Sequence, residues 1–161
     1  MNQVYLQLGS NLGDRESFLQ SARDFISKEL GIIEKCSKIY ESTPWGVDGQ
    51  DCFLNQVLLL STGINPHELL KLILIIEQKI GRIRIEKWGE RVIDIDILFY
   101  NDDIIETIDL CIPHKYLSKR RFVLMPLCEI SENLNHPKYN KTILELFNEC
   151  IDEEKVEIYA L

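Results

Sequence analysis

Several features are scarce in this chain of 161 residues, and each scarcity excludes something. There are five cysteines, Cys36, Cys52, Cys111, Cys128 and Cys150, an odd number with no Cys-x-x-Cys spacing. A disulfide framework and a thiolate zinc site are therefore not expected; buried, reduced thiols of a cytoplasmic protein are. No apolar run approaches the roughly 20 residues that span a bilayer, so no membrane partner is expected. The longest, Leu72 to Ile76, lies inside a helical pattern. Met1-Asn2-Gln3 opens neither a basic stretch nor the long apolar stretch of a secretory leader. Bases are outnumbered by acids, 18 to 26, and the net charge of −8 disfavours general nucleic-acid binding. The turn Gly9-Ser10-Asn11-Leu12-Gly13-Asp14 lacks Gly-Lys-Ser/Thr and a Gly-x-Gly start. It is neither a P-loop nor a dinucleotide fingerprint.

What is present is ordinary in bulk. Hydrophobic residues make up 45% and charged residues 27%, enough for a real core and too apolar for disorder. The length suits one domain, residues 1–161, with no repeat or linker, and nothing demands more than a monomer. Val4, Leu6 and Leu8 alternate with polar neighbours as a strand. Phe18, Leu19, Ala22, Phe25, Ile26 and Leu30 then form a helical stripe that Gly31 stops. A second strand is expected over Ile33 to Tyr40, and a third over Phe53 to Leu60 after a Gly- and Pro-marked loop. Asn65, Pro66 and Glu68 are N-cap, N1 and N3 of a second helix that ends at Gly81. A strand beginning near Val92 completes a β-α-β-β-α-β order. That order predicts an α+β fold with a ferredoxin-like core, an antiparallel sheet with helices packed on it. A further strand near Ile104 to Ile108 and C-terminal helices over Phe122 to Ile130 and Thr142 to Cys150 are expected beyond it.

The informative stretch is Trp88-Gly89-Glu90-Arg91-Val92-Ile93-Asp94-Ile95-Asp96-Ile97. Strand side chains alternate faces, so Asp94 and Asp96 point one way and the isoleucines the other. At a rise of about 3.3 Å per residue the two carboxylates stand about 6.5–7 Å apart along the chain. The pair alone reads most simply as the solvated face of an edge strand. Two basic islands change the weighing. Lys79 to Arg91 holds Lys79, Arg82, Arg84, Lys87 and Arg91 against Glu86 and Glu90, and Lys115 to Arg121 holds four bases and no acid. Carboxylates able to clamp two hard cations about 3.5–4 Å apart, flanked by arginines that grip phosphate, are the parts that phosphoryl-type transfer needs.

In their order and spacing these segments resemble the 6-hydroxymethyl-7,8-dihydropterin pyrophosphokinase family. The resemblance runs from Gly9-Ser10-Asn11-Leu12-Gly13 to Phe122-Val123-Leu124-Met125-Pro126-Leu127. It is most specific at Gly81-Arg82-Ile83-Arg84, at Trp88 through Asp96, at Pro113-His114 and at Arg120-Arg121-Phe122. It implies transfer of the β,γ-pyrophosphoryl group of ATP to the hydroxymethyl oxygen of the dihydropterin, with release of AMP, as a step of folate biosynthesis. Asp94 and Asp96 match aspartates that hold two Mg²⁺ ions with ATP. Arg82, Arg84, Arg91, His114 and Arg120 match the phosphate-facing side, with Lys115 or Tyr116 also facing ATP. A one-residue shift would exchange Arg120 and Arg121. Phe53 and Phe122 match an aromatic pair around the pterin, Asn55 a reader of its edge, and Ser42, Pro44 and Trp45 the loop beside it. Asp94 also reaches the pterin side. Glu77 matches a residue near the site, and Trp88 a lid residue. Two other classes fit parts of the pattern: a non-catalytic ligand-binding module of the same fold, and a Mg²⁺-dependent nucleotide hydrolase that would not need the aromatic pair.

Overall fold

The computed structural model describes residues 1–82 and 89–161. Strand β1 (Asn2–Ser10) leads into helix α1 (Arg15–Glu29), then β2 (Ile32–Cys36), β3 (Tyr40–Ser42), β4 (Phe53–Thr62), helix α2 (Pro66–Ile80) and β5 (Asp94–Tyr100). A small ribbon of β6 (Ile105–Glu106) and β7 (Cys111–Ile112) and a short 3-10 turn (Leu117–Lys119) follow. Helix α3 (Arg121–Ser131), the pair β8 (Asn135–His136) and β9 (Lys141–Thr142), helix α4 (Ile143–Glu149) and β10 (Val156–Ile158) complete it. The main sheet runs β10-β3-β4-β1-β5, with β2 also pairing β4, and every pairing is antiparallel.

The helix ends follow from short polar signals. Asp14 accepts from the Ser17 N–H at 3.1 Å, and Asn65 from the Glu68 N–H at 3.0 Å. Each offers a carboxylate or amide oxygen to an N–H that the helix itself leaves unpaired. Thr142 and Glu145 form a reciprocal capping box at α4. Gly81 ends α2 with φ +116°, a left-handed conformation that a Cβ would oppose.

Alternation along the strands divides the sheet into two unlike faces. Val4, Leu6, Leu8, Leu58 and Leu60 pack on Leu19, Ala22 and Ile26 of α1 and on Leu69, Ile73 and Ile76 of α2. On the other face Tyr5, Val57, Leu59 and Leu98 pack under Val123, Leu124 and Leu127 of α3 and Ile143 and Leu146 of α4. That second face changes character along its strands. Two residues beyond each of Tyr5, Val57 and Leu98 stand Gln7, Asn55 and Asp96, and beyond those Gly9, Phe53 and Asp94. Past the N-terminus of α3 the apolar floor therefore becomes a polar one, open to ligands.

Three expectations need correction. The second strand is divided into β2 and β3, because Ser37 breaks the ladder. Its N–H still donates to the Val57 carbonyl at 2.9 Å, but its hydroxyl accepts from the Val57 N–H at 3.0 Å and its carbonyl from Gln56 Nε2 at 2.7 Å, so side chains replace part of the backbone pairing there. The cysteines are free, but they are not buried: Cys36 and Cys111 are exposed and the other three half-buried. Cys128 and Cys150 pack against the edge of the second core rather than inside it. The expected strand near Ile104 to Ile108 is the two-residue β6 of the outlying ribbon rather than a strand of the main sheet.

Gly31, just past α1, is the tightest backbone approach. A Cβ there would stand 2.2 Å from the Ser61 carbonyl oxygen. Gly31→Ala is expected to cost roughly 2–3 kcal/mol, since backbone must move to admit the methyl. Urea unfolding checks this; a loss below about 0.5 kcal/mol, the size of an ordinary surface change, would contradict it.

Candidate active site

Two clefts open over the polar end of the sheet. The first is lined by Ser42, Pro44, Trp45, Phe53, Asn55, Asp94 and Phe122, the residues expected around a flat heterocycle. It also takes in Gln7, Gly9, Thr43, Val47 and Gln50. The second brings together Arg82, Arg91, His114, Lys115, Tyr116 and Arg120, the described residues expected to face phosphate. Arg91, Asp94, Asp96 and Arg120 line both clefts. Arg84 and Trp88 lie outside the described residues.

The shared wall is β5, where the two aspartates differ in their surroundings. Asp94 Oδ1 accepts from Arg82 at 2.5 Å, and its Oδ2 from Arg91 at 2.8 Å. Burial pushes the Asp94 carboxyl up, but the Arg91 and Arg82 guanidiniums outweigh it and hold the group below the usual carboxylate range. Arg82 is shared with Glu77, which lines neither cleft. Glu77 sits behind the strand on α2, almost wholly buried, and accepts from both Arg82 and the Ile95 N–H. It thus fixes the Arg82 guanidinium and the backbone between the two aspartates.

Among the described residues Asp96 makes no such ion pair with an arginine. His114 Nε2 stands 3.8 Å from its carboxylate. Burial first, and the negative charge of Asp94 second, push the Asp96 carboxyl up to about 7. His114 is itself shifted down to about 4 by burial and by Arg120. It is neutral at neutral pH, and since its Nδ1 accepts from the Tyr116 N–H at 3.2 Å, the proton resides on Nε2. Its backbone N–H donates to Leu98 at 3.0 Å, which holds it against β5.

Arg120 lies in an aromatic cage, its guanidinium carbon 4.7 Å from the Trp45 ring centre, 4.9 Å from Tyr116 and 5.7 Å from Phe122. Its neighbour Arg121 turns outward over Phe147 at 5.2 Å. Of the two arginines, Arg120 is the one in the clefts. Both Lys115 and Tyr116 line the second cleft.

Composition and spacing did not single out three of the polar residues here. Asn55 Nδ2 donates to Ser42 Oγ at 2.8 Å and to the Tyr40 carbonyl at 3.2 Å, so its Oδ1 must face Gln7, whose Nε2 donates to it at 3.4 Å. Gln7 is thus a brace for Asn55, and its own Oε1 is buried without a hydrogen-bond partner. A polar residue in the apolar run of β1, on the face that carries Gly9, was the available signal. Asn11 closes the turn after β1 onto the chain entering β5, accepting from the Arg91 N–H at 2.9 Å and donating its own N–H to the Arg91 carbonyl at 3.2 Å. Thr43, between two expected residues, is the third.

Asp94 and Asp96 bring two carboxylates to the wall that the two clefts share. Among the described residues no group of three or more His, Cys, Asp or Glu forms a cage. A cation here would thus draw on phosphate and water oxygens beside two carboxylates. The elevated Asp96 carboxyl fits that use, because a neighbouring cation offsets the burial and the like charge that raise it.

The comparisons with known proteins agree with one another. A family model described as 7,8-dihydro-6-hydroxymethylpterin-pyrophosphokinase matches residues 5–132. A 2-amino-4-hydroxy-6-hydroxymethyldihydropteridine pyrophosphokinase of Aquifex aeolicus is 48% identical over 145 residues, covering 90% of each chain. The like-named protein of Bacillus subtilis is 42% identical over 134 residues, 83% of this chain and 80% of that one. Among solved structures, wild-type Plasmodium falciparum HPPK-DHPS with pteroate superposes with a TM-score of 0.78 at 20% identity. That match covers 92% of this chain and 44% of the longer one, and it speaks for the fold.

The Asp96 shift has a consequence for metal-free protein. A carboxyl raised from 3.8 to about 7 resists ionisation in the folded state, so its contribution to stability falls as pH rises from about 4 to about 7. Asp96→Asn should match wild type at pH 4 and be the more stable of the two at pH 8, in thermal melts with chelator. Parallel pH profiles for the two proteins would contradict the assignment.

Proposed function

The chain belongs to the 7,8-dihydro-6-hydroxymethylpterin-pyrophosphokinase family, and on that premise we propose how its site divides the reaction. It is a pyrophosphokinase of folate biosynthesis, transferring the β,γ-pyrophosphoryl group of ATP to 6-hydroxymethyl-7,8-dihydropterin and releasing AMP. In our reading the first cleft takes the pterin and the second takes ATP. The observation that carries it is the wall of Arg91, Asp94, Asp96 and Arg120 common to both. Substrates seated on either side of that wall meet at the two carboxylates.

The pterin ring lies against Phe53 and Phe122, gaining apolar burial and stacking from a flat slot. Asn55, held by Ser42 and Gln7, and the backbone of the Ser42–Pro44 segment read its polar edge. On the other side Arg82, Arg91, His114, Lys115, Tyr116 and Arg120 surround the triphosphate. Asp94 and Asp96 would hold two Mg²⁺ ions, which would supply charge neutralisation for the phosphate oxygens.

The ion pairs on Asp94 mark a starting state. With ATP absent, Arg82 and Arg91 neutralise Asp94. When ATP arrives, Arg91 and one arm of Arg82 turn from Asp94 to phosphate oxygens while Arg82 stays paired with Glu77, and a hard cation brought by the nucleotide would compensate the Asp94 carboxylate they leave. The hydroxymethyl oxygen then attacks the β-phosphorus in line, its O–P bond forms as the bond to the α-phosphate oxygen breaks, and AMP departs. The hydroxyl proton leaves to water as the O–P bond forms. Neutral His114 donates its Nε2 hydrogen without adding charge.

Three coarser readings complete the proposal. The strand order β2-β4-β1-β5 with α1 and α2 on one face supports a ferredoxin-like core. One sheet covered on both faces supports a single pyrophosphokinase domain over residues 1–161, acting as a monomer. Among the described residues no helix is long and apolar enough to cross a membrane, and we place the reaction in the cytoplasm, with no nucleic-acid partner.

The test is AMP formation from ATP with and without the hydroxymethyl-dihydropterin, in Mg²⁺. Release that depends on the pterin is expected; AMP or ADP formed equally without it would point to a hydrolase. Asp96→Ala should abolish the signal in protein that still melts cooperatively, and EDTA should do the same to wild type; near-normal turnover in either case would remove the metal assignment. Arg91→Ala is expected to slow turnover roughly 100-fold, the scale of losing one charge-stabilising donor. ATP affinity should fall far less, because the remaining cations still bind the ground state. Equal losses in pre-steady-state rate and in ATP affinity would count against that role.

A further inference from the structure

The acidic C-terminal segment is the part of the chain that the reaction leaves unused, and it lies beyond the family match at residues 5–132. Its contacts are directed. Asp152 Oδ2 accepts from the Arg121 N–H at 2.9 Å, at the first residue of α3, and its Oδ1 accepts from the Glu154 N–H at 3.0 Å. The N-cap residue of α3, Arg120, supplies no side-chain cap of its own. A carboxylate from 31 residues downstream takes that place, where the helix leaves N–H groups free and favours negative charge.

The next residues hold a different stretch of the site. The Glu154 carboxylate accepts from Thr43 Oγ1, and the Thr43 N–H donates to the Lys155 carbonyl at 3.2 Å. Strand β10 then pairs with β3, Val156 opposite Ser42 and Ile158 opposite Tyr40. The end is tied down by the Tyr159 N–H on the Ile39 carbonyl at 2.8 Å and the Tyr159 hydroxyl on Glu16 at 2.7 Å. Within three residues, therefore, one segment grips the helix end that carries Arg120 and Phe122 and also the Ser42–Pro44 segment. Both stretches line the first cleft.

We propose that residues 152–156 are a strap that sets the spacing of these two walls, with Asp152 and Glu154 as positioning residues for the flat heterocyclic substrate. This rests on the assignment of the first cleft to the pterin. An edge strand and a helix cap that served stability alone would loosen the whole molecule and weaken both substrates together. A strap acts on one cleft first, because Thr43 lines the first cleft and not the second.

The test uses the full chain with Glu154→Ala, Glu154→Gln, Asp152→Ala and Asp152→Asn. Pterin binding is followed by fluorescence in the presence of a non-hydrolysable ATP analogue and Mg²⁺, and analogue binding is measured separately. Glu154→Ala should weaken the pterin about ten-fold, the scale of one hydrogen bond to a charged group, and the analogue less than about two-fold. Glu154→Gln and Asp152→Asn, which keep an acceptor oxygen, should restore most of the affinity lost in the alanine variants. Amide exchange at Thr43 should quicken in Glu154→Ala, and at Arg121 in Asp152→Ala. Pterin affinity unchanged in both alanine variants overturns the strap, and so does an equal loss of both ligands in Glu154→Ala. A wild type that binds no pterin overturns instead the assignment of the cleft, and with it the strap's role toward that substrate.

Discussion

Asp94 is neutralised by Arg82 on one oxygen and Arg91 on the other, and Arg82 is in turn held by Glu77. Four charges of alternating sign thus run from behind β5 to the wall of the clefts, the innermost of them, Glu77, almost wholly buried. Removing any one would strand a partially buried charge, which is far costlier than an exposed pair is beneficial. The arrangement leaves these charged groups gathered and mutually satisfied. In the proposed reading it makes binding an exchange of partners rather than a burial of bare charge. Asp96, one step along the same face, is left outside the exchange and keeps a high carboxyl pKa of about 7.

That cluster depends on the sheet beneath it. Three central strands supply the floor, and their alternation puts aliphatic side chains under α1 and α2 on one face and ligand-facing side chains on the other. The same face is apolar under α3 and open past its N-terminus, so a single strand such as β4 provides core at Val57 and Leu59 and cleft lining at Phe53 and Asn55. A site built on paired strands is held more firmly than one built on loops. The loops contribute where they are pinned: Asn11 fastens the entry to β5, and the C-terminal strand fastens the segment after β3.

Much of this is legible in the chain because its signals are local. Asn65-Pro66 and Gly81 bound α2 through caps that span only a few residues, and the facing of Asp94 and Asp96 follows from strand period alone. The pairing of Phe53 with Phe122, and of both with the aspartates, came from resemblance rather than from pattern. What stayed hidden is non-local or depends on a single side chain. Ser37 divides one expected strand into two by bonding to β4. The Thr43–Glu154 contact joins residues 111 apart, and nothing in the periodicity of an acidic tail announces a partner. The exposure of Cys36 and Cys111 likewise follows from which edge their strands occupy, not from their residue type.

The central claim is that two substrates approach one pair of carboxylates from two clefts. A crystal structure with Mn²⁺, a non-hydrolysable ATP analogue and the hydroxymethyl-dihydropterin tests it most directly. The account predicts anomalous peaks between the triphosphate and the carboxylates of Asp94 and Asp96, with the pterin between Phe53 and Phe122. The hydroxymethyl oxygen should lie about 3–3.5 Å from the β-phosphorus, the separation of groups poised to react. Metal bound away from both aspartates, or a pterin seated beside His114 in the second cleft, would contradict it.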